Sequence, residues 1–303
     1  MKYAMLPTRW DVVEQALANE GLELVDLDDG AELLVYNGSA ADFPELPRSV
    51  KWVQLTLAGI DAFFDEGLID ATRTWSNASG VYAKPVAESA VGLLLGCLHM
   101  YPRIDRARSW DVHGEMDRET RWLYGAHVAV IGAGGIGRDL VEMLKGFGCT
   151  VTAVNHSGRP VAGADRTLSS THTSQVLAEC DHAILAAPLT EDTVGMINRD
   201  SLKLMKNSAV VVNVGRGPLV NTDDLVEALE KGQIAAAGLD VTDPEPLPDD
   251  HPLWGMDNVL ITPHVANTQA QIPHLLKDTI IANYRAFVAG GDLPTAVSPD
   301  KGY

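Results

Sequence analysis

The stretch that decides the fold reads VAVIGAGGIGRDL over residues 128–140. Its apolar start predicts a strand, and the segment that continues to Leu144 has the apolar spacing of a helix. Between them, Gly132, Gly134 and Gly137 follow the spacing G-x-G-x-x-G. In that pattern the first glycine permits a tight turn, the second lets the backbone approach a pyrophosphate, and the third lets the helix pack closely. This context favours a dinucleotide-binding turn, with the phosphates at the helix N-terminus, over a glycine turn without a ligand.

Strands and helices alternate on both sides of this turn. Continuous apolar strands separated by helices are typical of a parallel sheet covered on both faces, which is the doubly wound Rossmann architecture. The strands predicted in this part of the chain cover residues 128–131, 151–155, 182–186, 210–214, 236–241 and 259–262. In the first part of the chain we predict strands at residues 22–27, 32–36, 50–55 and 72–76 and helices at 11–20 and 61–68.

The predicted domain order is discontinuous. A long amphipathic helix predicted over residues 269–289 is assigned to the first unit, so the chain crosses twice between two α/β domains. Residues 1–82 and 267–303 would form a smaller substrate domain, into which a dinucleotide-binding domain of residues 83–266 is inserted. The apolar run from Val86 to Met100 is interrupted by Glu88 and is predicted as a buried helix, not a membrane span. Residues 111–121 are polar and are predicted as a surface loop.

The composition weighs against several classes of protein. In 303 residues, 46% hydrophobic and 21% charged side chains are typical of a globular protein. Acidic residues number 41 against 23 basic ones, for a net charge of -18, and such a surface repels nucleic acid and anionic membranes. It also keeps a protein soluble in concentrated salt, so we favour a halophilic source over ordinary acidity.

Cysteine usage and the start of the chain bear on metals and location. The three cysteines are widely scattered and lack metal-ligand spacing, which predicts neither disulfides nor a bound metal. The first residues, Met1 to Met5, lack the long apolar core of a signal peptide. We therefore expect a cytoplasmic protein.

The end of the strand at residues 151–155 bears on which dinucleotide is bound. NAD-binding domains usually place Asp or Glu here to bind the ribose 2′-hydroxyl, whereas no carboxylate occurs between Val151 and Ala164. Asn155 and Ser157 can donate hydrogen bonds, and Arg159 can pair with a 2′-phosphate. We therefore expect NADP(H) to be preferred, with NAD(H) also possible. The alternative is that Arg159 is a solvated loop residue and Asn155 serves NAD.

Three chemically active side chains follow strands in the second half of the chain. Arg216 has the planar fork that binds a carboxylate through two hydrogen bonds. His264 can give a proton to a carbonyl oxygen and reclaim it in the reverse reaction. Glu245 lies between two prolines, and it can hydrogen-bond the imidazole and stabilise its protonated form. The alternatives are a structural ion pair between Arg216 and Glu245, and a purely structural His264.

These motifs, in this order, resemble those of the D-isomer-specific 2-hydroxyacid dehydrogenases. The resemblance runs over almost the whole chain. It is carried by the segments GAGGIG (132–137), AAPLT (186–190), NVGRG (213–217), GLDV (238–241), DPEP (243–246) and TPH (262–264). It implies a Rossmann domain inserted into a flavodoxin-like substrate domain, and a homodimer in which the helix at Val86–Met100 contributes to the interface.

The resemblance also implies roles for individual residues. Arg216 would bind and polarise the substrate, Glu245 would support the imidazole, and His264 would be the acid/base that contacts both cofactor and substrate. From the motifs and the resemblance together, the expected cofactor contacts are Gly132, Gly134, Gly135, Ile136, Gly137, Asn155, Ser157, Arg159, Ala187, Pro188, Thr193, Val214, Asp240 and His264, where Asn155 departs from the family by replacing its acidic residue. Backbone N–H groups of Leu57, Ala58 and Gly59 would bind the substrate carboxylate, unless this loop is a plain turn.

The sequence therefore predicts a D-2-hydroxyacid dehydrogenase, or 2-keto acid reductase, that transfers hydride between NADP(H) and a small 2-keto or D-2-hydroxy acid. One alternative is a glyoxylate/hydroxypyruvate reductase specifically, which differs in pocket size. Another is a nucleotide-sensing binding protein similar to a transcriptional corepressor, against which the strong negative charge weighs. The expected partners are the small-molecule acid and a second copy of the chain, without nucleic acid or membrane.

Overall fold

The computed structural model of the protein describes residues 1–268 and 270–299. The chain divides into two compact units. We call Met1–Tyr82 with the described residues from Thr268 onward the terminal unit, and Ala83–Asn267 the central unit. The second crossing follows Asn267, one residue later than the predicted bound at residue 266. Gln269, the predicted start of the last helix, and residues 300–303 lie outside the described residues.

Strands and helices alternate along the described chain. The strands are β1 (Lys2–Leu6), β2 (Glu23–Leu24), β3 (Leu33–Tyr36), β4 (Trp52–Leu55), β5 (Thr74–Ser76), β6 (His127–Ile131), β7 (Thr150–Asn155), β8 (Arg166–Ser169), β9 (His182–Leu185), β10 (Val210–Asn213), β11 (Ala236–Leu239), β12 (Val259–Ile261) and β13 (Ala296–Val297). The α-helices are α1 (Asp11–Asn19), α2 (Asp61–Asp65), α3 (Ala83–Leu98), α4 (Tyr101–Ala107), α5 (His113–Glu119), α6 (Gly135–Gly146), α7 (Thr173–Glu179), α8 (Arg199–Leu204), α9 (Thr222–Glu230) and α10 (Ile272–Val288). Short 3₁₀ turns lie at Trp110–Val112, Ser170–His172, Gly217–Leu219 and Pro252–Gly255.

The terminal unit contains one six-stranded sheet in the order β13-β5-β4-β3-β1-β2. Strands β1 to β5 are parallel, and their order 2-1-3-4-5 is that of flavodoxin-like domains. Strand β13 adds an antiparallel edge beside β5. The predicted flavodoxin-like architecture is confirmed for this unit.

The sequence patterns missed β1, although it lies between β2 and β3 in the sheet. Tyr3, Ala4 and Met5 in this strand are each at most 2% exposed. In a short, continuous apolar run, the spacing of apolar residues does not distinguish a buried strand from a buried helical turn. The turn-forming Pro7 directly after the run was the available signal.

The central unit contains a seven-stranded sheet, all parallel, in the order β12-β11-β10-β9-β6-β7-β8. Counted from β6, this is the Rossmann order 3-2-1-4-5-6 with one further strand, which confirms the doubly wound prediction. The edge strand β8 was not predicted, because its residues are polar and only partly buried. Since the strands are parallel, the residues that follow β6, β7, β9, β10, β11 and β12 all lie at one edge of the sheet.

Helix α3 confirms the buried helix predicted near Val86–Met100. It packs on α6, β10 and β11 of its own unit, with Ala87, Ala90 and Leu94 fully buried. Its apolar face is therefore used within the central unit, and its packing does not support the expected interface role. No helix among the described residues combines the length and the apolar character needed to cross a membrane.

The predicted surface loop at residues 111–121 is wrong. The structure forms a 3₁₀ turn at Trp110–Val112 followed by α5. The signal for this helix is the spacing of Val112 and Met116, which lie four residues apart and so share one helix face. Met116 is buried, whereas the neighbouring Trp110 and Trp122 are 87% and 76% exposed. We call residues 101–124 the aromatic segment.

Candidate active site

The glycine turn after β6 has the shape that a dinucleotide requires. Gly132 has φ +94°, and a Cβ atom there would overlap the backbone of Ala187. A Cβ on Gly137 would lie 2.7 Å from the carbonyl oxygen of Gly132, whereas one on Gly134 would meet nothing within 4 Å. Helix α6 begins at Gly135, and the first N–H groups of a helix have no acceptor within it. An open glycine beside free helix amides fits a bound pyrophosphate.

The loop after β7 brings Asn155, Ser157 and Arg159 together. The Asn155 side-chain amide donates to the carbonyl oxygen of Arg159 at 2.8 Å, and Nε of Arg159 donates to Oγ of Ser157 at 3.3 Å. Within the described residues Arg159 forms no ion pair with a carboxylate. The loop therefore presents a guanidinium without a carboxylate partner among these residues, together with a hydroxyl, at the end of the second Rossmann strand, where a ribose 2′ substituent is recognised.

The expected contacts after β9 and β10 lie at the same edge of the sheet. Thr193 closes the loop after β9, because its hydroxyl donates to the carbonyl oxygen of Pro188 and accepts from the N–H of Thr190, both at 2.8 Å. Ala187 in this loop and Val214 after β10 are both 6% exposed. Little of either residue is accessible at that edge, and their contacts with the cofactor stay predictions.

Arg216 is held by a buried asparagine that the sequence analysis did not single out. The Asn213 side chain is fully buried. It donates to the carbonyl oxygen of Arg216 at 2.9 Å and accepts from the N–H of Gly215 at 3.1 Å. Arg216 is partly buried, and among the described residues its guanidinium donates only to the carbonyl oxygen of Gly215, at 2.8 Å. In the part of the chain that the structure describes it has no carboxylate partner, so its charge is available to an anion.

His264 and Glu245 are in direct contact. Nδ1 of His264 lies 2.6 Å from Oε1 of Glu245, and the two side chains are 53% and 42% exposed. The Glu245 loop also approaches the Arg216 loop, since Gly217 packs so closely on Thr242 that a Cβ atom would overlap its carbonyl group. Glu245 is therefore the partner of the imidazole, and the alternative ion pair with Arg216 is not formed.

Asp240 holds the loop that carries His264. Asp240 is 3% exposed, and its carboxylate accepts hydrogen bonds from the Thr262 hydroxyl at 2.6 Å, the Val265 N–H at 3.0 Å and the Ala266 N–H at 3.1 Å. His264 itself has the left-handed φ of +52°, and its N–H donates to the carbonyl oxygen of Asp240 at 2.8 Å. Sequence reasoning had given Asp240 only a cofactor contact, which stays a prediction.

In the loop Leu57–Gly59 of the terminal unit, the backbone N–H groups, that of Leu57 included, have no acceptor among the described residues. The carbonyl oxygen of Leu57 accepts from the N–H of Ala78 at 3.0 Å, and that of Ala58 accepts from the side-chain amide of Asn77 at 3.1 Å. In a trans peptide the N–H points opposite to the C=O, so the N–H groups of Ala58 and Gly59 both face away from residues 77–78. Neither has an acceptor among residues 1–268 and 270–299, and consecutive free amides suit a carboxylate.

The chain is similar to several known proteins. The family model described as D-isomer specific 2-hydroxyacid dehydrogenase, NAD binding domain, matches residues 91–266. An uncharacterized protein in the proB 3′ region of Corynebacterium melassecola is 48% identical over 304 residues, covering 100% of both chains. A glyoxylate reductase of Pyrococcus furiosus is 33% identical over 233 residues, which cover 74% of this chain and 69% of that protein.

A solved structure is similar over the whole chain. The crystal structure of an NADPH-dependent glyoxylate/hydroxypyruvate reductase from Sinorhizobium meliloti, in complex with NADP and sulfate, has a TM-score of 0.80 to this chain. The two are 25% identical, and the match covers 100% of this chain and 99% of that one.

Proposed function

The chain belongs to the D-isomer-specific 2-hydroxyacid dehydrogenase family of NAD(P)-dependent oxidoreductases, and we propose that it reduces a small 2-keto acid to the D-2-hydroxy acid with NADPH. The observation that carries the proposal is the 2.6 Å contact between His264 and Glu245. It lies at the same sheet edge as Arg216, because β10 and β12 are parallel strands of one sheet. A cation and a carboxylate-supported imidazole are the groups that reduction of a 2-keto acid needs.

Each residue of the site has a defined part in the proposed reaction. When bound, the reduced nicotinamide supplies the hydride to the keto carbon. Arg216 binds the substrate through its planar fork and stabilises the charge that develops on the keto oxygen. His264 donates a proton to that oxygen, and in the reverse direction it accepts the proton from the hydroxyl group. Glu245 fixes the imidazole by binding Nδ1 and stabilises its positive charge.

We propose that the substrate carboxylate is bound by the free N–H groups of Ala58 and Gly59. Both groups are oriented by the hydrogen bonds of their own peptide carbonyls to residues 77–78. Backbone amides are uncharged, so no counter-ion has to be displaced before the carboxylate binds. Their hydrogen bonds also fix the position of the carboxylate. Leu57 contributes the first carbonyl that sets this orientation.

The preference for NADP(H) is supported by the loop after β7. Arg159 and Ser157 form a donor cluster in contact with each other at 3.3 Å, and the segment from Val151 to Ala164 contains no carboxylate to repel a 2′-phosphate. The similar Sinorhizobium meliloti reductase was solved with NADP. NAD(H) would bind the same glycine turn with lower affinity, because its ribose offers no phosphate to the guanidinium.

A glyoxylate/hydroxypyruvate reductase is the second candidate. It is favoured by the glyoxylate reductase of Pyrococcus furiosus and by the glyoxylate/hydroxypyruvate reductase of Sinorhizobium meliloti. This candidate uses the same Arg216, Glu245 and His264 and differs only in the size of the keto acid. The substrate range therefore separates the two candidates.

We further propose a homodimer that uses the aromatic segment. Ile104, Trp110 and Trp122 are 41%, 87% and 76% exposed and line one depression on the central unit. Large exposed aromatic side chains are enriched at protein interfaces, and a second copy of the chain is the occupant that the family implies.

The net charge of -18 supports function in a salt-loaded cytoplasm.

The experiment is steady-state reduction of glyoxylate, hydroxypyruvate, pyruvate and longer 2-keto acids with NADPH and with NADH, at low and at molar salt. We expect turnover with small 2-keto acids and a preference for NADPH. A preference for NADH would keep the reductase and reject the 2′-phosphate argument. No turnover at any salt concentration, with nucleotide binding intact, would reject catalysis in favour of a nucleotide-sensing protein.

A further inference from the structure

Asn77, directly after β5, is buried and almost fully hydrogen-bonded. It is 7% exposed. Its side-chain amide donates to the carbonyl oxygen of Ala58 at 3.1 Å, and its side-chain oxygen accepts from the N–H of Ser79 at 3.0 Å. The side chain is therefore locked in one orientation and binds the middle peptide of the Leu57–Gly59 loop.

The backbone of Asn77 is fixed from the far end of the chain. Its N–H donates to the carbonyl oxygen of Thr295 at 3.1 Å. Its carbonyl oxygen accepts from the Thr295 hydroxyl at 2.7 Å and from the Gln54 side chain at 2.9 Å. Asn283 on α10 is fully buried and donates to both Gln54 and Thr295, at 2.7 and 2.8 Å. A closed network of this kind specifies a single arrangement.

The geometry of this network has one consequence for ligand binding. The Ala58 carbonyl oxygen accepts from the Asn77 side-chain amide, whereas the Leu57 carbonyl oxygen accepts from the backbone N–H of Ala78. Without the Asn77 amide, the Ala58–Gly59 peptide could rotate, and its N–H would no longer point in the same direction as the N–H of Ala58. The orientation of the Gly59 N–H therefore depends on this one side chain.

Resting on the proposed function, we propose that Asn77 is a positioning residue for the substrate carboxylate. It acts by fixing the Ala58–Gly59 peptide, and α10 supports it through Asn283 and Thr295. The charge of the carboxylate is the same in the bound substrate and in the transition state. Loss of its binding site therefore raises KM and leaves kcat nearly unchanged.

The test compares Asn77→Ala and Asn77→Asp with the wild-type enzyme. Aspartate is close in size to asparagine and still accepts from Ser79, but it cannot donate to the Ala58 carbonyl. We expect KM for glyoxylate and Ki for oxamate, a carboxylate-bearing pyruvate analogue, to rise about tenfold or more in both variants. We expect kcat to change less than about threefold and Kd for NADPH to stay the same.

Trp75→Phe is the matched control. It removes the 3.0 Å hydrogen bond from the buried Trp75 side chain to the carbonyl oxygen of Asp70, which is not part of the Asn77 network, so it should lower stability and leave KM unchanged. Should Asn77→Ala fail to fold, Asn77→Asp carries the test. An active wild-type enzyme with unchanged KM and Ki in a folded Asn77 variant would overturn the inference. A wild-type enzyme without turnover would instead overturn the proposed function.

Discussion

The imidazole of His264 is bound to Glu245 through Nδ1, at 2.6 Å. A carboxylate only accepts hydrogen bonds, so Nδ1 carries the proton of this contact. Nε2 is then the nitrogen that exchanges a proton with the substrate. The contact therefore sets both the tautomer and the direction of the ring.

Replacing Glu245 by glutamine keeps an acceptor for Nδ1 and removes the negative charge. We expect kcat to fall roughly 10- to 100-fold, since the charge that stabilises the protonated imidazole is lost, and KM to change little. The measurement is steady-state kinetics with NADPH, beside His264→Ala as the variant without any acid/base. A Glu245→Gln enzyme with wild-type kcat would remove Glu245 from the mechanism.

Arg216→Lys tests the need for a planar fork. Lysine keeps the charge but offers a point donor, so we expect KM for the keto acid to rise about 10- to 100-fold and kcat to fall as well. The control is Arg199→Lys, because Arg199 is 58% exposed and pairs with Glu227 at the surface. Equal kinetics for Arg216→Lys and Arg199→Lys would contradict the proposed role of Arg216.

Asp240→Asn tests whether Asp240 positions the His264 loop. Asparagine can keep Oδ1, which accepts from Thr262 and Val265, but its NH₂ group would face the Ala266 N–H, which lies 3.1 Å from Oδ2 in the wild type. The left-handed backbone conformation of His264 is unfavourable by about 1–3 kcal/mol, so it persists only where surrounding contacts hold it. We expect kcat to fall about tenfold or more, with Kd for NADPH nearly unchanged.

The control for Asp240→Asn is Thr262→Val, which removes only the hydroxyl contact of 2.6 Å and should have a smaller effect. Weaker NADPH binding at constant kcat would show instead that Asp240 contributes mainly through the cofactor contact.

Arg159→Ala tests cofactor preference. A charged hydrogen bond to a phosphate contributes about 1.5–3 kcal/mol, so we expect Kd for NADPH to rise roughly 10- to 100-fold and Kd for NADH to stay the same. Arg118→Ala removes the same charge from the exposed face of α5 and serves as the control. If Kd rose equally for NADPH and NADH, Arg159 would attract the charged cofactor in general and would not contact the 2′-phosphate specifically.

His182 makes stability depend on pH. Burial, assisted by the positive charges of Arg121 and Lys206, lowers the pKa of His182 to about 4, against the opposing effect of Asp181. The folded protein therefore keeps this histidine neutral, with Nδ1 accepting from the N–H of Val210 at 3.2 Å. The unfolded chain protonates it near pH 6.5. The stabilisation is complete above pH 6.5 and is lost as the pH falls toward 4.

Over that pH window the free energy of unfolding falls by about 3 kcal/mol, because each unit of pKa difference corresponds to roughly 1.4 kcal/mol. His182→Asn keeps an acceptor for Val210 and cannot titrate. We expect its free energy of unfolding, from urea midpoints between pH 7 and 4, to fall less steeply than that of the wild type. The exposed His172→Asn is the control, and a wild-type slope in His182→Asn would contradict this prediction.

The features that the sequence alone determined are local. The glycine turn was readable because Gly132, Gly134 and Gly137 follow a fixed spacing directly after an apolar strand, so the whole signal lies within a few consecutive residues. Arg216, Glu245 and His264 were recognisable because each stands in a short motif directly after a strand or between prolines. The apolar runs of the Rossmann strands likewise carry their own signal, since strands buried on both faces need no alternation.

The features that only the tertiary structure decided depend on partners far apart in the chain. Strand β1 and edge strand β8 are defined by their neighbours in the sheet, not by a period in their own residues. Asp240 holds residues 262–266, and Asn77 holds Ala58 while Thr295, 218 residues away, holds Asn77. A buried polar side chain is stable only with its hydrogen-bond partners, and the sequence does not state which partners the fold will bring to it.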